Sequence, residues 1–434
     1  RASTFEEIGI TSSLVRPAGT AYARLFVERH RAAKEGRADW DWLHASLEGI
    51  LSQTHDVCVF QEDITRICVE VAGFSFAEAD QVRKMMNSLH EGTPAHYERT
   101  ERRFVEGCMA HRGLDAAQAH ELWKRVDSFR GFSFCKSHSL SYAQLSFRCA
   151  WLKRHHPARF WAAVVGNDHG FYPTAAYMDE IRRAGIRLLP WDANLSRWRH
   201  QGGDGWFRPG FQHVRGVHRT TVDRLESERA RGGAFQDLPD FCRRVAAART
   251  ELDALARVGA FDAFGLARSH ALAWIAELGA GARRADSLDL FAQEGLPSHL
   301  LSLPRETPAM RALDELRLAG FSVSADPLES LGRLAGSLGA VANARLGEFS
   351  GKSVKIVGVP VASRVHRVRQ TGEPMLFLTL SDQTGVADAI LWPDAYRKFH
   401  SVAIGGGVLA VRGKVKEEDD TFALDADHVE EVRT

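Results

Sequence analysis

Apolar positions change their spacing twice along the chain, and each change predicts a different architecture. From Leu43 to Val71 they recur at helical intervals, with Gly73 as a stop. Ser75-Phe76-Ala77-Glu78 has the form of a capping box and opens a helical run through Met86. A second long helix is predicted from about Ser139 to His155, ended or restarted by Pro157. Pro173-Thr174 opens another, closed by Gly185. Residues 196–280 hold short helices between glycines, and residues 281–305 carry small and polar residues with two prolines, as a linker does. From Val354 the period falls to two. Strands are predicted at Val354–Val359, Leu376–Leu380, Val386–Leu391, Gly407–Gly413 and Thr421–Leu424, with a helix from Pro393 to Phe399 between the third and fourth. Five short strands with that helix placement is the order of an OB fold. The pattern contains no internal repeat.

The expected fold class is therefore α+β and multidomain. It comprises a helical domain (1–195), a helix-hairpin-helix region (196–280), a linker (281–305), a connector (306–350) and a C-terminal β-barrel of OB type (351–434). A length of 434 residues agrees with two to four domains. The formal net charge of +1 means that only local clustering could mark a nucleic-acid partner. Six cysteines without a Cys-x-x-Cys pair read as buried free thiols in a reducing compartment, and no apolar run reaches membrane-span length. A cytoplasmic protein is expected. The first residue is not methionine, which hints at a fragment.

Charge clusters in three places. Between Lys136 and Phe160 there are five lysines and arginines, including Arg148, Lys153 and Arg154, and no carboxylate. Tyr142, Phe147 and Trp151 are interleaved. Cations suit phosphates and rings suit bases, although the spacing alone favours rings facing a core and a solvated basic face. Arg83-Lys84 on the capped helix could grip a triphosphate, or be an ordinary exposed pair. The turn Val214-Arg215-Gly216-Val217-His218-Arg219 would let backbone N–H groups approach a phosphate, and Leu255–Phe261 could supply a second such hairpin. Arg197 to Arg257 contains 12 basic and 8 acidic residues, net +4. Ser287-Leu288-Asp289-Leu290-Phe291 places apolar side chains in the linker, where a partner's pocket could take them. Asp425 and Asp427 share a strand face but read as solvated. Neither a catalytic residue set nor a metal motif is recognised.

Several segments, in order, resemble the bacterial C-family DNA polymerases, the family of the DNA polymerase III alpha subunit. They are Glu6-Glu7-Ile8 with Ser13-Leu14-Val15-Arg16-Pro17; Phe60-Gln61-Glu62-Asp63; Ala72-Gly73-Phe74 with Glu78-Ala79-Asp80 and Val82 to Met86; Gly131 to Ser139 with Ser141-Tyr142-Ala143; Trp151 to Phe160; and Gly259-Ala260-Phe261-Asp262. The resemblance covers nearly the whole chain. It implies a nucleotide-binding role for Arg83, Lys84, Lys136, Ser137, His138 and Tyr142. It implies DNA binding by Arg148, Lys153, Arg154, Arg215, Gly216, His218 and Arg219, and sliding-clamp binding by Ser287 to Phe291. The implied reaction is deoxynucleotide addition to a primer 3′ end. Mg²⁺ and the catalytic aspartates would belong to a palm-containing N-terminal part outside this chain, so the isolated segment is expected to be inactive. Implied partners are primer-template and single-stranded DNA, deoxynucleoside triphosphate, the clamp and that palm-containing part, with no membrane. Departures include Lys84 for a second arginine, Cys135 for asparagine, His218 for the hairpin glycine and Ser287 for the usual glutamine. A chain that ends after the OB domain resembles the error-prone branch. The alternatives are a non-enzymatic DNA- and clamp-binding protein from a split or truncated gene, and an OB-fold RNA-binding protein with a helical extension.

Overall fold

The computed structural model describes residues 2–15, 20–37, 40–87, 94–128, 134–167, 170–281, 303–418 and 421–432. Two compact units divide at Trp151/Leu152. No helix among the described residues is long and apolar enough to cross a membrane.

The first unit is helical. Its main core gathers Leu47, Leu51, Ile64, Ile67, Cys68, Met86, Phe104 and Trp123, and a smaller core holds Ile10, Leu14, Phe26, Val57, Val59 and Phe60. The stretch Leu43–Val71, whose apolar residues recur at helical spacing, is not one continuous helix. The chain instead forms short turns at Ala45–Leu47, Glu48–Leu51 and Ser52–Thr54, breaks, and resumes as Gln61–Arg66 with a π-helical turn at Ile67–Val71. His55 and Asp56 both adopt left-handed backbone angles, φ 54° and 61°, a conformation that costs a non-glycine residue energy and needs its surroundings to hold it. Here Arg29 and Arg125 each reach the buried Asp56 carboxylate at 3.0 Å. Asp63 caps the restart by accepting from the Val59 and Phe60 N–H groups at 3.1 and 2.9 Å. The apolar residues at 57, 59 and 60 thus enter the second core from an extended strand of chain, a register that a helical count absorbs without trace.

The Ser75 box forms as expected. Ser75 N–H donates to Glu78 at 2.7 Å, Glu78 N–H donates back to the Ser75 hydroxyl at 3.3 Å, and the helix runs Phe76–Asn87. The next helix, Pro94–Arg112, crosses close to the π-turn. A Cβ on Gly107 would lie 2.1 Å from the Ala72 carbonyl oxygen, so only glycine fits there. The helix Lys136–His155 is fixed near its start by a 2.7 Å hydrogen bond between Ser139 and Ser13. Beyond Ala143 its residues are exposed through His156. Tyr142, Phe147 and Trp151 are 55, 49 and 47% exposed, which corrects the expectation that these rings face a core.

The second unit opens with helices Pro157–Gly166 and Thr174–Arg183. A small sheet follows, of β1 (Arg187–Leu188), β2 (Gln201–Gly202) and β3 (Trp206–Arg208) in the order β1-β3-β2. Helices Arg219–Gly232, Leu238–Val245, Arg249–Arg257 and Arg268–Gly281 then pack around Trp161, Trp191, Phe207, Phe241 and Phe261. Buried Arg268 ion-pairs with Asp262 and Glu315 at 3.0 Å each, which fastens the helix Pro308–Ala319 to this bundle. The C-terminal strands are β4 (Ser353–Arg367), β5 (Pro374–Ser381), β6 (Val386–Leu391), β7 (Val408–Glu418) and β8 (Thr421–Val432). They close a barrel in the order β4-β5-β6-β8-β7, with the helix Pro393–Ile404 between β6 and β7. This is the OB fold that the alternation predicted. The strands are longer than expected because the pairing of β7 with β8 and of β4 with β5 continues past the barrel wall. Asp425 and Asp427 face outward, opposite Lys416 (3.6 Å) and Arg412 (2.8 Å). All six cysteines are free. Cys149 is exposed and Cys135 half-buried, which corrects the expectation that all are buried. Burial pushes Cys68, Cys108 and Cys242 up to about 12, where they are inert thiols.

Candidate nucleic-acid interface

In the first unit, Arg83 and Lys84 share one carboxylate. Asp80 accepts from Arg83 at 2.8 and 3.0 Å and pairs with Lys84 at 2.9 Å. Hydrogen bonds from Lys84 and Arg83 hold the Asp80 carboxyl below its ordinary value. Arg83 also donates to Gln61 Oε1 at 3.2 Å. The neighbouring Glu62 accepts the Lys136 backbone N–H at 2.9 Å, and Lys136 Nζ reaches Gln53 at 2.8 Å and lies over the Phe60 ring. A parallel bridge joins Phe60 to Phe134. The short segment 60–63 therefore ties together two cations that are 53 positions apart in sequence. His138 packs on Phe134 and on Tyr142, with ring centroids 5.4 and 4.6 Å away. Ser137 contacts Cys135 Sγ at 2.9 Å. Residues 129–133 lie outside the described set. Gln61, Glu62 and Asp80 were legible as parts of the resemblance, but their positioning role depends on contacts that sequence does not display.

Arg148 is exposed on the helix of the first unit, and in the second unit Lys153 lies over Trp161 at 5.0 Å while Arg154 is exposed. The turn at 214–218 is tight, with Gly216 at φ +85°. Several of its donors, however, are already used. Arg215 N–H donates to the Leu318 carbonyl at 2.9 Å, Val217 N–H to Val214 at 3.2 Å, and His218 N–H to Glu251 at 3.0 Å. Glu251 is buried and also accepts from Thr221 at 3.0 Å and Ala248 N–H at 3.1 Å. Burial alone would raise its carboxyl, but the hydrogen bonds outweigh that and hold it below the ordinary value. Of the backbone cradle expected from sequence, one N–H, that of His218, is taken by a carboxylate of the protein. What remains open to a phosphate is the side chains of Arg215, His218 and Arg219, all exposed. In the second expected hairpin, Gly259 and Ala260 N–H groups bond to Ala256 and Leu255.

Two cationic patches were missed. Arg219 lies over the Trp198 ring at 6.0 Å, and Trp198 is flanked by exposed Arg197 and Arg199. On the barrel, Arg364, His366, Arg367 and Arg369 are exposed along the end of β4, and Arg364 pairs in register with the exposed Phe377 of β5. An Arg-Trp-Arg triplet and a basic residue at nearly every other position were the available signals. Among the described residues, no group of three or more histidines, cysteines or acids converges as a metal site would, so the residues described do not fit a resident metal. Ser287 to Phe291 lie outside the described residues.

These features place the chain among nucleic-acid-binding proteins with fingers, hairpin and barrel modules. Residues 1–112 match the bacterial DNA polymerase III alpha subunit finger domain, residues 185–271 a helix-hairpin-helix motif, and residues 359–432 an OB-fold nucleic acid binding domain. The chain thus carries a match to the finger domain of the bacterial DNA polymerase III alpha subunit beside helix-hairpin-helix and OB-fold matches, and over most of its length it is similar to error-prone DNA polymerases. It is 29% identical to the error-prone DNA polymerase of Anaeromyxobacter sp. (strain K) over 99% of this chain and 38% of the relative. With that of Mycolicibacterium paratuberculosis it shares 31% identity over 89% and 35%. For Corynebacterium efficiens the figures are 29% over 98% and 38%. The chain spans less than two fifths of the length of these relatives.

Proposed function

We propose that this chain is the nucleotide-, DNA- and clamp-binding portion of a template-directed DNA polymerase. The observation that carries the reading is the succession of finger, helix-hairpin-helix and OB matches along one chain. Arg83 and Lys84 receive the triphosphate of the incoming nucleotide in place of Asp80, whose exposed ion pairs exchange at small cost. Gln61 keeps the Arg83 guanidinium aimed during that exchange. His138 and Tyr142 offer a ring edge and face beside the sugar or base, and Lys136 and Ser137 sit at the same helix start. Arg148, Lys153 and Arg154, with Arg215, His218 and Arg219, follow the DNA backbone through charge, and Gly216 lets the turn approach it closely. The barrel hairpin Arg364–Arg369 with Phe377 holds single-stranded template by charge and stacking. Ser287-Leu288-Asp289-Leu290-Phe291 tethers the sliding clamp. Mg²⁺ and its carboxylate ligands are supplied by a palm-containing part, so the chain by itself binds but does not extend.

The test is primer extension by the purified chain, alone and mixed with a separately expressed palm-containing segment of an error-prone relative. Extension only in the mixture is expected. Extension by the chain alone would remove the assignment of chemistry to the palm. DNA binding without extension in the mixture would support the non-enzymatic DNA- and clamp-binding reading.

A further inference from the structure

The helix Phe76–Asn87 has a second functional face. Asp80, Arg83 and Lys84 lie on one side, whereas Glu78, Val82 and Met85 follow the i, i+4, i+7 spacing of the other. That other side borders a cleft of about 230 Å³ against the helix Pro94–Arg112. Its floor is apolar: Phe74, Val82 and Met85 are 6, 2 and 5% exposed. Its facing wall carries two cations, Arg99 and Arg103, beside His96, at i+3, i+7 and i on one helix side. The Arg103 guanidinium is stacked over the Phe74 ring at 4.9 Å. The carboxylate that lines the cleft, Glu78, is hydrogen-bonded by Ser75 at the helix start and is held below its ordinary pKa by those bonds and, more weakly, by the charge of Arg103. Neither Arg99 nor Arg103 has an ion-pair partner among the described residues, whereas Arg66, Arg83, Arg112 and Arg125 of the same unit are each held by a carboxylate, amide or carbonyl oxygen.

Two arginines beside a buried apolar floor satisfy neither a purely apolar ligand nor a bare anion. A ligand that fits both parts has a flat ring for the Val82 and Met85 part of the floor, beside the Phe74 face that Arg103 already covers, and a phosphate for the guanidinium pair, the group that arginine forks match best. The cleft is below the roughly 300–1,000 Å³ of a site for a drug-sized molecule, so it takes one ring system. We propose that this cleft binds a nucleoside monophosphate unit. A free nucleotide and the 5′-phosphorylated end of a DNA strand share that chemistry. The site is separate from the Arg83–Lys84 face, and the inference stands or falls independently of the triphosphate reading.

The test uses saturation-transfer NMR on the intact chain with dAMP, which lacks the β and γ phosphates. Transfer to the adenine protons is expected. It should weaken about tenfold or more in R99Q/R103Q, the scale of losing charge-assisted hydrogen bonds. Both arginines are exposed, so the fold is retained and a melting curve checks it. Thr100→Phe, which fills the cleft mouth and keeps both charges, should abolish transfer as well. A stronger signal from a 5′-phosphorylated oligonucleotide than from dAMP assigns a strand end as the source, and the reverse assigns a free nucleotide; either supports the site. Transfer unchanged in either variant, no transfer at millimolar dAMP, or binding of adenosine or inorganic phosphate as tight as that of dAMP would overturn it.

Discussion

Asp80 and Glu251 do similar work in two regions and with opposite consequences. Each is a carboxylate of the protein seated where a phosphate could bind. Asp80 lies on the surface of a helix with its side chain 44% exposed, and it holds the half-buried Arg83 and the exposed Lys84. Glu251 is 4% exposed and accepts three backbone or hydroxyl donors around the turn at 214–218. Water and a ligand phosphate can replace the first, because exposed ion pairs are weak. Replacing the second is costlier, because its removal strands the buried Thr221 hydroxyl together with two part-buried N–H groups. The difference teaches that an anion seat read from sequence is only half a site. Whether the chain has already filled it with a buried acid decides whether a ligand can use it.

The largest expected effect is on the buried side of this comparison. Glu251→Ala should destabilise the second unit by about 2 kcal/mol, the scale of leaving one buried hydroxyl and two part-buried N–H donors unpaired, seen as a lower denaturant midpoint. If stability is unchanged, the turn does not depend on Glu251 and its donors are available to phosphate after all. A second effect follows from His200, which is buried and 2.7 Å from His213. Burial, with a smaller contribution from His213, lowers its pKa from 6.5 to about 3. The unfolded chain therefore takes up a proton below pH 6.5 that the folded chain refuses. Stability is complete above that pH and is lost as pH falls from 6.5 toward 3. Unfolding curves across this window should show the loss, and His200→Gln should flatten it; an unaltered slope in the variant would assign the loss elsewhere.

Smaller effects belong to the exposed side. Arg215→Ala and Arg219→Ala should weaken DNA binding to a similar extent on all sequences, each lowering the salt slope by about 1. A sequence-dependent loss would instead mean base contacts. Asp80→Asn should raise triphosphate affinity a few-fold by removing the competing carboxylate; a fall would mean that Asp80 acts mainly by orienting Arg83.

What sequence displayed was local. The Ser75–Glu78 box, the restart at Pro157, the stop at Gly185 and the alternation from Val354 each depend on neighbours within a few residues, and each appears in the structure. The break at His55–Asp56 was not legible. It requires Arg29 and Arg125, 27 residues before and 69 after Asp56 in the chain. Closure of the turn at 214–218 was equally hidden, since Glu251 and Leu318 lie far along the chain and only folding brings them there. The exposed rings of the helix Lys136–His155 escaped for another reason. Their spacing suits a core as well as a ligand surface, and periodicity alone does not tell the two apart.

The central claim is that Arg83 and Lys84 are the open anion seat of a polymerase segment completed by a palm. The most direct measurement compares single-nucleotide incorporation by the chain mixed with a palm-containing segment against the same mixture carrying R83A/K84A. Loss of two charge-assisted contacts predicts about a hundredfold fall in kcat/KM for the nucleotide, with primer-template binding retained. Incorporation that is insensitive to the double substitution would contradict the account.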